Sequence, residues 1–178
     1  MDKKAAILYS TVDGQTLKIC KHIVAYLNEQ GFQPELRELK SFKGNVSDYN
    51  TIILGASIRY GKHQKNVIQF IETHQKKLEQ VNTAFFSVNL VARNPEKNSK
   101  DTNPYLIKFF KTISWRPDIV DVFAGRLDYA SYTWYDRLLI KLIMKITHGP
   151  TQAKEPLEYT NWSRVDQFSE TIIKTFFI

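Results

Sequence analysis

A short apolar run, Ala5-Ala6-Ile7-Leu8-Tyr9, breaks into Ser10-Thr11-Val12-Asp13-Gly14-Gln15-Thr16, and an amphipathic helical pattern begins at once. That succession demands a buried strand feeding a tight polar turn that opens a helix. The first turn of a helix leaves backbone N–H groups without partners and carries the positive end of the macrodipole, so it suits a phosphate. Hydroxyls on Ser10, Thr11 and Thr16 add donors, and Gly14 lets the backbone approach a ligand with no Cβ in the way. An ordinary strand–turn–helix with a Ser/Thr N-cap accounts for the same residues, so the turn alone leaves both readings open.

The rest of the chain repeats the alternation. Ile19, Cys20, Ile23, Val24 and Leu27 recur at helical spacing and predict a helix over 15–30, stopped by Gly31. Strands are expected over 33–39, 51–55, 83–89 and 119–125, that over 51–55 continuously apolar, as a strand covered on both faces is. Helices are expected over 64–80, from Pro104 behind an Asn103 cap, and over the closing segment, capped by Thr160 with Trp162, Val165, Phe168, Ile172 and Phe176 on one face. Strands alternating with helices across short loops imply an α/β, doubly wound, five-stranded parallel sheet in a single domain spanning 1–178. One stretch is surplus to that plan, residues 126–158 between the fifth strand and the last helix.

Composition narrows the classes of function. Hydrophobic residues make up 43% and charged residues 24%, as in a globular domain. The chain runs from Met1 straight towards the first strand, so no signal peptide is expected, and no apolar run reaches the roughly 18–20 residues of a spanning helix. A single cysteine, Cys20, excludes an internal disulfide and falls on the apolar face of the first helix. The formal charge of +7 favours acidic partners such as nucleic acid, anionic lipid or an anionic small molecule. No nucleic-acid-binding module is visible, and none is expected as a partner. His22, His63, His74 and His148 show no metal-ligand spacing, so no metal is expected. Neither a nucleophile elbow nor a Walker loop is present.

Ligands of doubly wound sheets sit at the carboxyl ends of the strands, where strand order reverses. The loops expected there are Ser10–Thr16, then Ser57-Ile58-Arg59-Tyr60-Gly61, then the end of the fourth strand with Ser87 and Asn89-Leu90-Val91-Ala92-Arg93. The first suits a phosphate; the others offer backbone donors, an aromatic ring and arginines beside small residues, which could flank a flat ring. Flavin mononucleotide asks for that combination. Five blocks in order make the chain recognisable: STVDGQT at 10–16, GASIRYGKH at 55–63, FFSVNLVARNPEK at 85–97, SWRPD at 114–118 and WYDRLLIKLIMKITHG at 134–149. The chain resembles the flavodoxin superfamily and, within it, the family of menaquinone-dependent protoporphyrinogen IX dehydrogenases. The resemblance implies strand order 2-1-3-4-5, bound FMN whose ring carries the redox chemistry, protoporphyrinogen IX oxidised to protoporphyrin IX for haem synthesis, and menaquinone as acceptor. No convincing side-chain base is visible in the sequence, so protons are expected to pass to water or substrate nitrogen. Asp13 departs from the flavodoxin pattern, where a Thr commonly stands. A carboxylate repels a phosphate dianion, so Asp13 is expected to turn away and cap backbone N–H groups.

The surplus segment carries its own signal. Residues 134–147 read as a helix rich in Leu and Ile, with Arg137, Lys141, Lys145 and His148 in a basic stripe and Tyr129, Tyr132, Trp134 and Tyr135 near its start. Such a helix can lie in a membrane interface against anionic lipid; equally, its Leu and Ile can pack on the sheet while the cations stay solvated. The resemblance favours the first reading, since a menaquinone-using enzyme must reach a lipid-dissolved substrate, and it implies a peripheral location on the cytoplasmic face of the bacterial inner membrane. The segment should overhang the flavin, with Arg126, Tyr129, Trp134, Tyr135 and Arg137 as substrate-binding candidates. Arg59, Arg93, Arg126 and Arg137 are candidate partners for propionates, because guanidinium forks match carboxylates. Two other functions fit the same fold: a flavodoxin that only carries electrons, and an NAD(P)H:quinone reductase. The basic charge and the aromatic–basic extension argue against the first, and the absence of an Arg-rich nicotinamide site argues against the second.

Overall fold

Short apolar strands covered on both faces need helices above and below, and the chain is built that way. The computed structural model describes residues 4–146, 148–153 and 155–178. Along the chain run β1 (Ala5–Ser10), α1 (Gln15–Glu29), β2 (Glu35–Glu38), β3 (Thr51–Arg59), β4 (Lys62–His63), α2 (Lys65–Leu78) and β5 (Asn82–Asn89). They are followed by α3 (Pro104–Thr112), β6 (Ile119–Ala124), β7 (Arg126–Leu127), α4 (Trp134–Ile146), β8 (Leu157–Glu158) and α5 (Trp162–Ile172). The main strands pair in parallel in the order β2-β1-β3-β5-β6. This is the expected 2-1-3-4-5 order; the structure adds the short antiparallel partner β4 on β3 and a separate β7–β8 ribbon.

Alternation along each strand sorts side chains into two cores. Ala6, Leu8, Ile52, Leu54, Phe85 and Val122 face α2 and α3, meeting Val67, Ile71, Leu106 and Phe109. Their neighbours Ile7, Ile53, Ala84, Phe86 and Phe123 face α1 and α5, meeting Ile19, Cys20, Ile23, Val165 and Phe168. Cys20 is therefore core, and burial pushes its thiol pKa up. Gly55 is required where the Phe86 ring crosses β3: a Cβ there would lie 2.3 Å from the ring. The register Gly55↔Phe86 places that crossing near the carboxyl ends of the central strands.

Three elements differ from the sequence reading. β3 continues through Ala56-Ser57-Ile58-Arg59: Ala56 and Ser57 pair with β5, and β4 folds back to pair Arg59 with Lys62 and Ile58 with His63. The cap of α5 is Asn161, whose side chain accepts from the Arg164 N–H, and not Thr160. The Thr160 hydroxyl donates instead to the Ala124 carbonyl at 2.8 Å. α4 is described to Ile146; the expected last helical residue, Thr147, lies outside the described residues, as do Met1, Asp2 and Lys3 at the expected chain start.

Candidate cofactor and substrate cleft

The head of α1 is shaped by Gly14, which stands at the N-cap in the left-handed region (φ 82°) with no side chain to cap the helix. First-turn N–H groups have no intrahelical acceptor and here meet no N-cap side chain. The Thr11 hydroxyl accepts from the Gly14 N–H at 3.1 Å, bracing the turn. Thr16 is fully buried, and its Oγ1 has no hydrogen-bond partner among the described residues. A buried hydroxyl left unpaired costs stability unless something else satisfies it. An anion at this turn would do so. The Gln15 side chain is spent elsewhere: its Nε2 donates to Thr160 Oγ1 (2.9 Å) and to Glu158 Oε1 (3.2 Å), and Lys18 pairs with the same Glu158 at 2.6 Å.

The second wall is the β3–β4 hairpin. Its two-residue turn, Tyr60-Gly61, has both residues at positive φ (51° and 73°), as a type I′ turn requires. Arg59, on the last position of β3, donates through Nη1 to both oxygens of Asp13 (2.9 and 3.1 Å). Its Nη2 lies 2.6 Å from Asp136 Oδ2, on the first turn of α4. The other oxygen of Asp136 accepts from the Tyr60 hydroxyl, and Thr133 Oγ1 donates to Oδ2 at 2.7 Å. The guanidinium also lies over the rings of Tyr60 and Tyr132. Hydrogen bonds from Tyr60 and Thr133 hold the Asp136 carboxyl below its ordinary pKa, while burial pushes Asp13 up against the pull of Arg59. Asp13 thus turns from the Ser10–Thr16 turn to Arg59, not to backbone N–H groups.

The third wall is the end of β5. Asn89 caps the short 3-10 turn Leu90–Arg93, accepting from the Ala92 N–H, and exchanges hydrogen bonds with Asn103, the cap of α3. Above these walls lies α4, whose Leu139, Ile140 and Ile143 close the cleft. The space so bounded is open to solvent at its mouth.

The structure gathers Thr11, Asp13, Gln15, Thr16, Ser57, Ile58, Arg59, Tyr60, Gly61, Asn89, Leu90, Val91 and Arg126 around this one cleft. Other expected site residues lie off its lining. The Ser10 hydroxyl donates to Asn66, Ser87 is paired with His63, Ala92 is buried beneath the loop, and Gly14 shapes the turn from outside. Arg93 donates to the Leu90 carbonyl and packs against Gly149. Of the surplus segment, Tyr129 is buried in a satellite cluster with its hydroxyl on the Pro150 carbonyl, and Arg137 reaches the Tyr132 carbonyl. Trp134 and Tyr135 project into solvent, 74% and 52% exposed. Sequence reasoning passed over Val88, Tyr105, Gly125, Tyr132, Asp136, Leu139, Ile140 and Ile143, all of which line the cleft. The three- and four-residue spacing of apolar residues on α4 is the signal that could have found the last three.

The outer side of α4 is apolar as well. Trp134, Leu138, Leu142 and Ile146 follow one another at four-residue spacing, and all four are more than half exposed. Arg137, Lys141 and Lys145 run beside them. Among the described residues no helix is long and apolar enough to cross a membrane.

A flavodoxin-domain family model matches residues 6–154. The chain is 41% identical over 170 residues to the protoporphyrinogen IX dehydrogenase [quinone] of Escherichia coli (strain K12), covering 95% of this chain and 94% of that protein. Among solved structures it is similar to a flavodoxin from the domain Archaea, with TM-score 0.53 and 13% identity over 97% of this chain and 98% of the other. A Fusobacterium nucleatum flavodoxin bound to flavin mononucleotide superimposes with TM-score 0.50 and 14% identity over 98% and 99% of the two chains.

Proposed function

The chain belongs to the flavodoxin family and, within it, to the protoporphyrinogen IX dehydrogenases, and from that membership we propose that it oxidises protoporphyrinogen IX to protoporphyrin IX with FMN as cofactor and menaquinone as acceptor. One observation carries the reading: the phosphate turn and the apolar inner face of α4 line the same cleft. A protein that only carries electrons needs the first and has no use for the second.

The residues present fit the cofactor. The unpaired Thr16 hydroxyl, the Thr11 side and the free N–H groups of α1 suit its phosphate, while Arg59 offsets the Asp13 charge that would otherwise repel it. The Tyr60-Gly61 turn and residues 88–91 suit the edges and faces of a flat ring. When bound, the flavin supplies two-electron redox chemistry between the porphyrinogen and the quinone.

What the chain itself contributes is position and environment. Leu139, Ile140 and Ile143 exclude water from the apolar side of the cleft, where a macrocycle or quinone ring lies. Arg126, at the rim and partnered by Asp128 at 2.9 Å, is the lining arginine best placed to take a propionate. Both lining carboxylates, Asp13 and Asp136, are tied to Arg59, so substrate protons pass to water and not to a side-chain base. The outer stripe of α4 with its flanking cations suits an anionic bilayer, giving a peripheral enzyme at the cytoplasmic face of the inner membrane that meets a lipid-soluble acceptor.

The test is an anaerobic assay of the purified chain with anionic vesicles, protoporphyrinogen IX and menaquinone, following porphyrin fluorescence. A yellow protein that forms porphyrin only when quinone is present is the expected result. Turnover of NAD(P)H with quinone, and none of porphyrinogen, would assign it to the reductases instead.

A further inference from the structure

α4 belongs to neither of the two cores that hold the sheet between its helices. Its carboxyl half is anchored by Met144, buried in the satellite cluster with Leu127, Tyr129 and Tyr132. Its first turn is held differently, by a carboxylate. Asp136 is 4% exposed on a helix whose neighbouring positions Tyr135, Arg137 and Leu138 are all exposed. A buried charge persists only where it is paired and hydrogen-bonded. Here Arg59, Tyr60 and Thr133 supply those partners. The same guanidinium grips Asp13 in the phosphate turn. One cation therefore joins the cofactor turn to the helix that walls the cleft.

We propose that Asp136 is a positioning residue for the oxidation: paired with Arg59, it sets the first turn of α4 against the cofactor turn and so places the apolar wall on which the macrocycle rests. The proposal rests on the reading of the cleft as a porphyrinogen site. Asp136 touches neither the phosphate turn nor its hydroxyls directly, so its removal acts on the wall and leaves the cofactor in place. Leu139 and Ile140 follow it on the next turn and line the cleft.

Asp136→Asn tests this, with the full chain loaded with FMN. Amide exchange over residues 134–140 is expected to speed by about tenfold or more while the remaining sheet is unchanged. KM for protoporphyrinogen should rise about tenfold with kcat within about threefold, the signature of lost binding and not lost chemistry. FMN affinity should not weaken, and Asp136→Glu should recover part of the KM. Thr133→Val, which removes one hydrogen bond to Asp136 and leaves the charge pair, should shift exchange and KM in the same direction by less; it stands in if the Asn variant fails to fold. Unchanged exchange and KM overturn the proposal, as does release of the flavin by Asp136→Asn, which would make the residue part of the cofactor site. A wild-type chain inactive on protoporphyrinogen would instead sink the functional reading, and the exchange comparison would still decide whether the bridge holds α4.

Discussion

Thr16 and His63 show how much one side chain can decide. Thr16 offers a buried hydroxyl that the protein does not use. Replacing it with Val removes no internal hydrogen bond and keeps the shape. Unfolding of the flavin-free protein by urea should therefore be unchanged or slightly harder. A hydrogen bond to a charged group is worth about 1.5–3 kcal/mol, so FMN affinity, read by flavin fluorescence, should fall by about ten- to a hundredfold. Equal affinity in the two proteins would remove Thr16 from the phosphate site. His63 lies between Phe109 and Phe85, with its Nε2 3.0 Å from Ser87 Oγ, and burial pulls its pKa from 6.5 down to about 3. The folded protein holds this ring neutral where the unfolded chain would protonate it. Its contribution is intact above pH 6.5 and is lost as pH falls from there towards 3, by about 1.4 kcal/mol per unit at most. His63→Gln should flatten the fall in urea-unfolding free energy between about pH 6 and 4 by close to one proton.

At the scale of elements, α4 has two apolar sides with different destinations. Leu139, Ile140 and Ile143 look into the cleft, while Trp134, Leu138, Leu142 and Ile146 look out. A helix that is apolar towards solvent has an unmet partner. Changing Leu138, Leu142 and Ile146 together to Gln leaves both cores untouched. Thermal stability and FMN binding should hold, while affinity for anionic vesicles, read by cosedimentation, falls by about a thousandfold or more, since each of the three lost side chains carries about 1.5–3 kcal/mol of burial when fully inserted. Undiminished sedimentation would assign the stripe to packing in some other complex. The helix itself was legible from its apolar spacing, and so was the turn at the head of α1. The extension of β3 was not, because Ala56-Ser57-Ile58-Arg59 mixes small and polar residues; pairing with β1 and β5 carries it through Ser57, and only the return of β4 adds Ile58 and Arg59. Asp136 was invisible for a similar reason. Its burial depends on Tyr60, 76 residues earlier, and nothing near Asp136 in the chain announces that partner.

For the molecule as a whole, strands alternating with helices across short loops were enough to give a parallel sheet. The end of the last crossover was misjudged at one residue: Thr160 makes a plausible cap until its hydroxyl is drawn to Ala124, leaving Asn161 to open α5. That small exchange has a larger consequence. The surplus segment is fastened to the head of α1 at two places, through Asp136 and Arg59 to Asp13 at the start of α4, and through Glu158, with Thr160 just beyond it, to Gln15 and Lys18 on exit. It is not a removable appendage, and transplanting it onto an unrelated carrier of the same architecture would succeed only if Arg59, Asp13, Gln15 and Lys18 travelled with it.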